Sequence, residues 1–274
     1  MKSGKIYIKR RIVLIAAAAL VIIIITLLFK GGGVSYDKSI AGEPYSEAEL
    51  LLPEAPSPSP APQYINAEQP GHYMAGIEGI KMAYLTFDDG PSSNVTPAIL
   101  DVLKEKNVHA TFFALGSSVE KYPDIAKRVV DEGNVLANHT YSHVYKSLYD
   151  DSNYFIEDVQ RAERAIAAAV GEDKVTRLFR FPGGSFENYK KPKKELLLQK
   201  DYYYIDWNVS SGDAAGRDVP PEALIGNVKN TLGGKNTAVI LMHDSSVKAT
   251  TAEALPAIID MLKAEGYSFG VLAR

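Results

Sequence analysis

The sequence predicts an α/β domain with parallel strands in an open sheet or barrel, set behind one membrane-spanning segment and a proline-rich linker. Three observations carry that expectation. Beyond Lys81, short β-branched or aromatic runs alternate with helical patterns of crossover length, the arrangement that parallel strands require. Ile12 to Phe29 is apolar throughout except at Thr26. Between the two, from Gly31 to about Ala75, no apolar period is sustained and Gly, Glu, Ser and Pro dominate.

The apolar run is long enough to cross a bilayer. Lys2, Lys5, Lys9, Arg10 and Arg11 precede it with no acid among them, so the positive-inside rule puts residues 1–11 in the cytoplasm and the rest of the chain outside. The run ends in Phe29-Lys30-Gly31-Gly32-Gly33, without an A-x-A-like cleavage site, and is expected to be an uncleaved single-pass anchor over 12–29. Residues 30–77 are expected to form an extracellular linker. Its centre, "EAPSPSPAPQ" from Glu54 to Gln63, favours polyproline II and a partly stiff tether. The folded domain is expected over 78–274.

A net charge of −3 over 274 residues gives no reason to expect nucleic acid as a partner. Cysteine is absent, which removes disulfides, Cys-zinc sites and thiol catalysis together, so any metal must be held by His, Asp or Glu.

Strands are expected at Met82 to Phe87, Ala110 to Leu115, Tyr203 to Val209, Ala238 to Met242 and Ser268 to Leu272, with shorter runs near Leu136 and at Leu178 to Phe181. Helices are expected at Asn94 to Lys106, Val119 to Glu132, Phe155 to Val170, Glu222 to Leu232 and Ala252 to Glu265. In parallel α/β folds the chemistry sits just past the carboxyl ends of the strands. There the chain carries Asp88-Asp89-Gly90-Pro91, then "NHTYSH" with His139 and His143, then "RFPGGS" with Arg180, then His243-Asp244. Taken singly, Asp-Asp-Gly-Pro is an ordinary turn and a His pair is often accidental. On a helical turn, however, two His four apart share one face, and with no cysteine available His-His-Asp is the natural zinc set, with one position left for water.

"TFDDGPS", "HTYSH", "RFPGG" and "LMH", in this order, resemble the motifs of the NodB-homology polysaccharide deacetylases, carbohydrate esterase family 4, over Lys81 to Arg274. The resemblance implies a distorted (β/α) barrel and a metal-dependent hydrolysis of N-acetyl groups. It makes Asp89, His139 and His143 the ligands of one divalent ion, zinc first, with cobalt or nickel as alternatives. It makes Asp88 the general base, held by Arg180, and His243 the general acid, oriented and raised in pKa by Asp213. The backbone N–H of Gly183 would stabilise the oxyanion. Leu241 would wall the acetyl pocket, or simply be a core residue of a buried strand. Thr140 and Ser142 read as supports. Two positions depart from the family pattern: Ser210 stands for an acid and Ala214 for the Trp that would wall the pocket.

An anchored enzyme meets only what lies near its membrane, so the expected partner is peptidoglycan, N-acetylglucosamine ahead of N-acetylmuramic acid. Chitin-type oligomers or another acetylated polysaccharide are the alternative substrates. A catalytically weak glycan-binding envelope protein is the alternative class, with the changes at Ser210 and Ala214 as its sign. A magnesium phosphotransferase built on "FDDG" would leave His139 and His143 without a task. Of Tyr202-Tyr203-Tyr204, at least one ring is expected in the core and the others could flank a sugar groove. "YKKPKKE", Tyr189 to Glu195, reads as a solvated basic loop.

Overall fold

The structure, a computed structural model, describes Tyr64–Ile65 and residues 80–272. The expected anchor lies outside the described residues, as does the linker apart from Tyr64–Ile65. Among the described residues no helix is long and apolar enough to cross a membrane.

The elements run β1 (Tyr64–Ile65), β2 (Met82–Asp88), α1 (Val95–Lys106), β3 (Thr111–Ala114), α2 (Gly116–Lys121), α3 (Pro123–Asp131), β4 (Val135–Asn138), α4 (Tyr145–Asp150) and α5 (Ser152–Val170). They continue with β5 (Leu178–Phe179), α6 (Lys191–Gln199), β6 (Tyr203–Tyr204), β7 (Val209–Ser210), α7 (Pro221–Leu232), β8 (Thr237–His243), α8 (Ala249–Ala264) and β9 (Ser268–Leu272).

β2 is the centre of a parallel sheet. One edge pairs with β8 over its whole length, from Met82 opposite Thr237 to Asp88 opposite His243. The other edge is shared between β9, against Met82 to Tyr84, and β3, against Thr86 to Asp88. β4, β5 and β6 follow beyond β3, β7 pairs with the far edge of β8, and β1 lies against β9. The chain passes within four residues from β6 at one edge to β7 at the other. Side chains bridge that gap: Asn208 Nδ2 donates to Thr237 O and Val239 N donates to Asn208 Oδ1, both at 2.8 Å. The result is a curled parallel half-barrel rather than a closed ring.

Alternation along the strands divides the core. Ala83, Leu85 and Phe87 of β2 and Ala238, Ile240 and Met242 of β8 face outward onto Ile99, Leu224, Leu255 and Ile258 of the surrounding helices. The inner face starts apolar, with Met82, Tyr84, Phe113, Ala137, Leu178, Ile205 and Val239 packed together. By the same alternation it turns polar toward the carboxyl ends, with Thr86, Asp88 and His243 there. The strands stand on an apolar floor and present a polar rim.

Three expectations need correction. The helix at Val119 to Glu132 is two helices, α2 and α3, because Pro123 cannot continue α2 and opens α3 instead. The strand at Tyr203 to Val209 is two pairs of residues, since Arg180 takes the carbonyls of Ile205 and Asp206 that a ladder would use. The "YKKPKKE" segment is no solvated loop: it enters α6, with Pro192 in its first turn, and Lys190 and Lys193 are buried. The expectation that at least one ring of the tyrosine triplet lies in the core holds: Tyr202 is buried with Phe155 and Phe181, while Tyr204, partly buried, packs on the same cluster and Tyr203, also partly buried, packs on the inner face.

Candidate active site

The strand ends bring the expected residues together at the rim. Asp88 and His243 are register partners on β2 and β8, so their side chains emerge on the same inner face from adjacent strands. Asp88 is buried and receives a hydrogen bond from Arg180 Nη1 at 2.9 Å. Arg180 is fully buried and uses its whole fork: Nη1 also donates to Thr86 Oγ1 at 2.7 Å, Nε to Ile205 O at 3.1 Å and Nη2 to Asp206 O at 3.3 Å. Its guanidinium lies 4.0 Å from the centre of the Phe113 ring. Burial raises the Asp88 carboxyl above the ordinary range, and the charges of Arg180 and His243 oppose that rise without cancelling it.

On the next residue the backbone turns left-handed, with φ 78° at Asp89, a conformation that Asp tolerates better than most. This sends the adjacent carboxylate into a different environment. Asp89 Oδ1 lies 3.4 Å from His143 Nε2 and 3.6 Å from His139 Nε2, and it is buried without a hydrogen-bond partner. His139 Nδ1 is fixed 2.8 Å from Arg180 O, which requires the proton on Nδ1 and leaves the Nε2 lone pair free. Burial pushes this ring down to about 3, so it is neutral at physiological pH. The three ligating atoms lie within 4.8 Å of one another. Donors around a tetrahedral zinc at about 2.0–2.2 Å stand about 3.3–3.6 Å apart, so this set fits a small divalent cation.

The His pair is not on a helical turn. His139 follows β4, and the loop to His143 passes through φ 74° at Thr140 and 56° at His143. A β-branched residue in that region is strained, and the loop is over-determined by its bonds. Thr140 Oγ1 accepts from His143 N, Thr140 N donates to Asn138 Oδ1, and Asp158 of α5 accepts from the N–H groups of Tyr141 and Ser142. Thr140 is thus the support it was expected to be, and Ser142 Oγ accepts from Val144 N.

Asp213 is buried beside His243. Its Oδ1 lies 2.8 Å from His243 Nδ1, while Oδ2 accepts from His243 N and Thr251 Oγ1. Burial would raise Asp213, but the His243 and Thr251 bonds hold it below its ordinary value. Burial would likewise lower His243, yet the Asp213 bond and charge, with Asp88 and Asp89 beyond, carry it up to about 9. The replacement at Ser210 leaves this pair intact, since Ser210 Oγ accepts from Gly212 N in the turn that presents Asp213. Ala214 is exposed and supplies no wall. The single tryptophan, Trp207, stands instead near Arg180, with Phe186 edge-on at 5.5 Å. Leu241 shares the inner face with His243 by alternation, is buried, and belongs to none of the apolar clusters, which fits a wall better than a core residue. Gly183 is exposed in a Pro-Gly turn, and among the described residues its N–H has no acceptor.

Several participants had no sequence motif. The Tyr145 hydroxyl lies over Gly183, 2.8 Å from where a Cβ would be, and the Tyr145 ring meets His143 edge-on. Asp206 accepts from Ser185 N and Oγ, fixing the loop after Arg180. Asp244 is pressed onto Gly90 so closely that a Cβ there would stand 2.0 Å from its Oδ2. Its place directly after His243 was the one available hint.

The model of the polysaccharide deacetylase family matches residues 76–204, which hold Asp88, Asp89, His139, His143, Arg180 and Gly183. A peptidoglycan-N-acetylglucosamine deacetylase of Bacillus cereus is 33% identical over 192 residues, 69% of this chain and 68% of that protein. The chain belongs to the polysaccharide deacetylase family. Within the family, the peptidoglycan-N-acetylglucosamine deacetylase PgdA of Listeria monocytogenes is 34% identical over 189 residues, but these make up 69% of this chain and only 37% of that one. A carbohydrate esterase family 4 esterase of Streptococcus mutans shares the fold with a TM-score of 0.66 at 35% identity, covering 71% of this chain and 87% of that one. Asp213 and His243 lie beyond residue 204, in the part of the chain that the family model leaves uncovered.

Proposed function

We propose that this chain is a metal-dependent deacetylase that removes the N-acetyl group from peptidoglycan amino sugars, N-acetylglucosamine ahead of N-acetylmuramic acid. The observation that carries the reading is the convergence, at one rim, of a three-ligand Asp89, His139, His143 cluster with two differently tuned pairs, Asp88–Arg180 and Asp213–His243. When bound at that cluster, a divalent ion, zinc by its donor set, supplies Lewis acidity to a water and to the acetyl carbonyl. Asp88 takes the proton of the attacking water, and Arg180 keeps that carboxylate oriented. The Gly183 N–H donates to the acetyl oxygen as negative charge builds on it. His243, cationic up to about pH 9, gives its proton to the departing sugar nitrogen, which would otherwise be a poor leaving group.

We further propose that residues 12–29 anchor the protein in the cytoplasmic membrane with the catalytic domain outside. The apolar run, interrupted only at Thr26, and its basic flank support this, and the linker gives the domain reach into the nearby wall. The names of the Bacillus cereus and Listeria relatives support the same substrate. The test is acetate release by the purified chain, with zinc added, from peptidoglycan, chitin oligomers and acetylxylan in parallel. The expected outcome is release from peptidoglycan, lost in His143→Ala together with bound zinc. Release from chitin oligomers or acetylxylan alone would move the substrate outside the wall.

A further inference from the structure

Lys190 is a buried lysine that the reaction above does not use. It is 1% exposed, and its ammonium has three acceptors for its three protons: Gly184 O at 2.5 Å, Pro182 O at 3.1 Å and a Glu187 carboxylate oxygen at 3.0 Å. Two of these are the carbonyls on either side of Gly183. The Pro182 carbonyl has a second donor, the Tyr149 hydroxyl at 2.6 Å, and the Lys190 ammonium lies 4.5 Å from the centre of the same Tyr149 ring.

That carbonyl matters because it shares a peptide unit with the Gly183 N–H. Gly184 N donates to Phe181 O at 2.8 Å, with Pro182 and Gly183 between them and φ 70° at Gly183, which are the marks of a type II turn. Type I and type II turns differ by a flip of their central peptide, which exchanges the directions of its C=O and N–H. In a trans peptide the two point opposite ways. A carbonyl held inward by a buried cation therefore holds the N–H outward, where Gly183 is exposed and its N–H has no acceptor among the described residues. The same cation polarises the peptide and makes that N–H a stronger donor.

We propose that Lys190 is a positioning residue for the Gly183 amide: with Tyr149, it locks the Phe181 to Gly184 turn in its type II form and keeps the Gly183 N–H available to the acetyl oxygen. The proposal rests on the deacetylase reading for its catalytic consequence, but the lock itself is a property of the turn. The test uses the full chain as wild type, Lys190→Met, Lys190→Arg and Tyr149→Phe. Steady-state kinetics on N-acetylglucosamine oligomers, bound zinc, and spectra with selectively labelled glycine are read together. The structural signal is the cross-relaxation between Pro182 Hα and the Gly183 amide proton, which is strong only when the central peptide is in the type II orientation.

Lys190→Met should lower kcat about 10- to 100-fold, less than the about 100- to 1,000-fold of deleting an oxyanion donor outright, with KM and zinc content unchanged. The Gly183 amide signal should shift and its contact with Pro182 weaken. Lys190→Arg, which keeps charge and donors, should recover most of both. Tyr149→Phe should cost about two- to tenfold in kcat, the worth of one hydrogen bond. An unaltered Gly183 signal in Lys190→Met overturns the proposal, as does a joint fall of kcat, KM and zinc binding, which would mark a general structural role. Should Lys190→Met not fold, Tyr149→Phe decides by the same Gly183 signal. A wild type that folds, binds zinc and releases no acetate would refute the deacetylase reading, while the Gly183 signal would still decide the lock.

Discussion

The β2–β8 wall of the site and the β5–β7 wall place their residues by different means. On the first, seven consecutive register pairs set Asp88 opposite His243, and the backbone ladder fixes the pair with one side-chain bond at its end, from His243 N to Asp213. On the second, each strand is two residues long, and side chains take over the positioning: Arg180 holds two carbonyls, Asp206 the amide of Ser185, Asn208 the edge of β8, and Lys190 the turn around Gly183. In the proposed reaction, a polar rim residue on the ladder wall matters for what it does to substrate. On the other wall, side chains that touch no substrate carry the geometry.

The largest expected effect comes from exchanging single residues across the Asp88–Arg180 pair. Arg180→Met strands a buried carboxylate and removes the donor to Thr86, Ile205 and Asp206 at once, so it should cost about 3–5 kcal/mol of stability as well as activity. Asp88→Asn leaves Arg180 its other three acceptors and leaves β2 its ladder. It should lower turnover by about 100- to 10,000-fold with much smaller loss of stability and with zinc retained, whereas Asp89→Asn should lose zinc. Denaturant unfolding and metal analysis of the three variants separate these outcomes. If Asp88→Asn destabilised as much as Arg180→Met, the ladder would not be what holds the β2 end.

The same contrast decides how much the sequence disclosed. Asp88, Asp89 and His243 were legible because alternation in β2 and β8 and the strand ends point straight to them. His139 and His143 were legible as a pair, but their loop was not: Tyr141 and Ser142, between its left-handed residues Thr140 and His143, are held by Asp158, fifteen residues beyond His143 on α5, and no local pattern announces that contact. Nor did composition reveal that Lys190 and Lys193 are buried, since a run of lysines reads as solvated unless its partners are known, which for Lys190 are backbone carbonyls of the preceding turn. The break in the Tyr203 to Val209 run has the same origin. Its residues favour a strand, and the long-range Arg180 bonds override that preference.

A second prediction concerns the acid on the ladder wall and the Asp213 that tunes it from outside the ladder. In the proposed reaction His243 must be protonated to act, and its pKa of about 9 is above the ordinary value, so activity should persist up to that pH and fall as pH rises through it. Asp213→Asn removes the carboxylate and leaves the burial, which lowers the ring. The alkaline limb should then move toward acid by about two units or more, to or below the ordinary value near 6.5. The sign holds for stability too: the raised pKa contributes stability that is full below the ordinary value and lost as pH rises through about 9, a dependence that Asp213→Asn should abolish. An alkaline limb that stayed near pH 9 in the variant would assign it to another group.

The smallest expected effect tests whether even an unreactive carboxylate on the irregular wall carries geometry. Asp206 accepts from both Ser185 N and Ser185 Oγ, at 2.8 and 2.6 Å, on separate oxygens. Asparagine keeps one acceptor and sets an N–H₂ against the other donor, so Asp206→Asn should cost about 1–2 kcal/mol, or about 2–8 °C in Tm for a domain of this size. The comparison is Lys127→Ala, which breaks the exposed i,i+4 pair with Asp131 on α3, far from either wall. An exposed pair of that kind is worth about 0.3–0.5 kcal/mol, so its Tm should fall by about 1–2 °C at most. Because the loop from Arg180 to Lys190 presents Gly183, Asp206→Asn should also lower kcat while Lys127→Ala leaves it alone. Equal Tm shifts with unchanged kcat in both would mean that the loop is held by Arg180 and Lys190 without Asp206, and the division of labour between the walls would rest on those two cations.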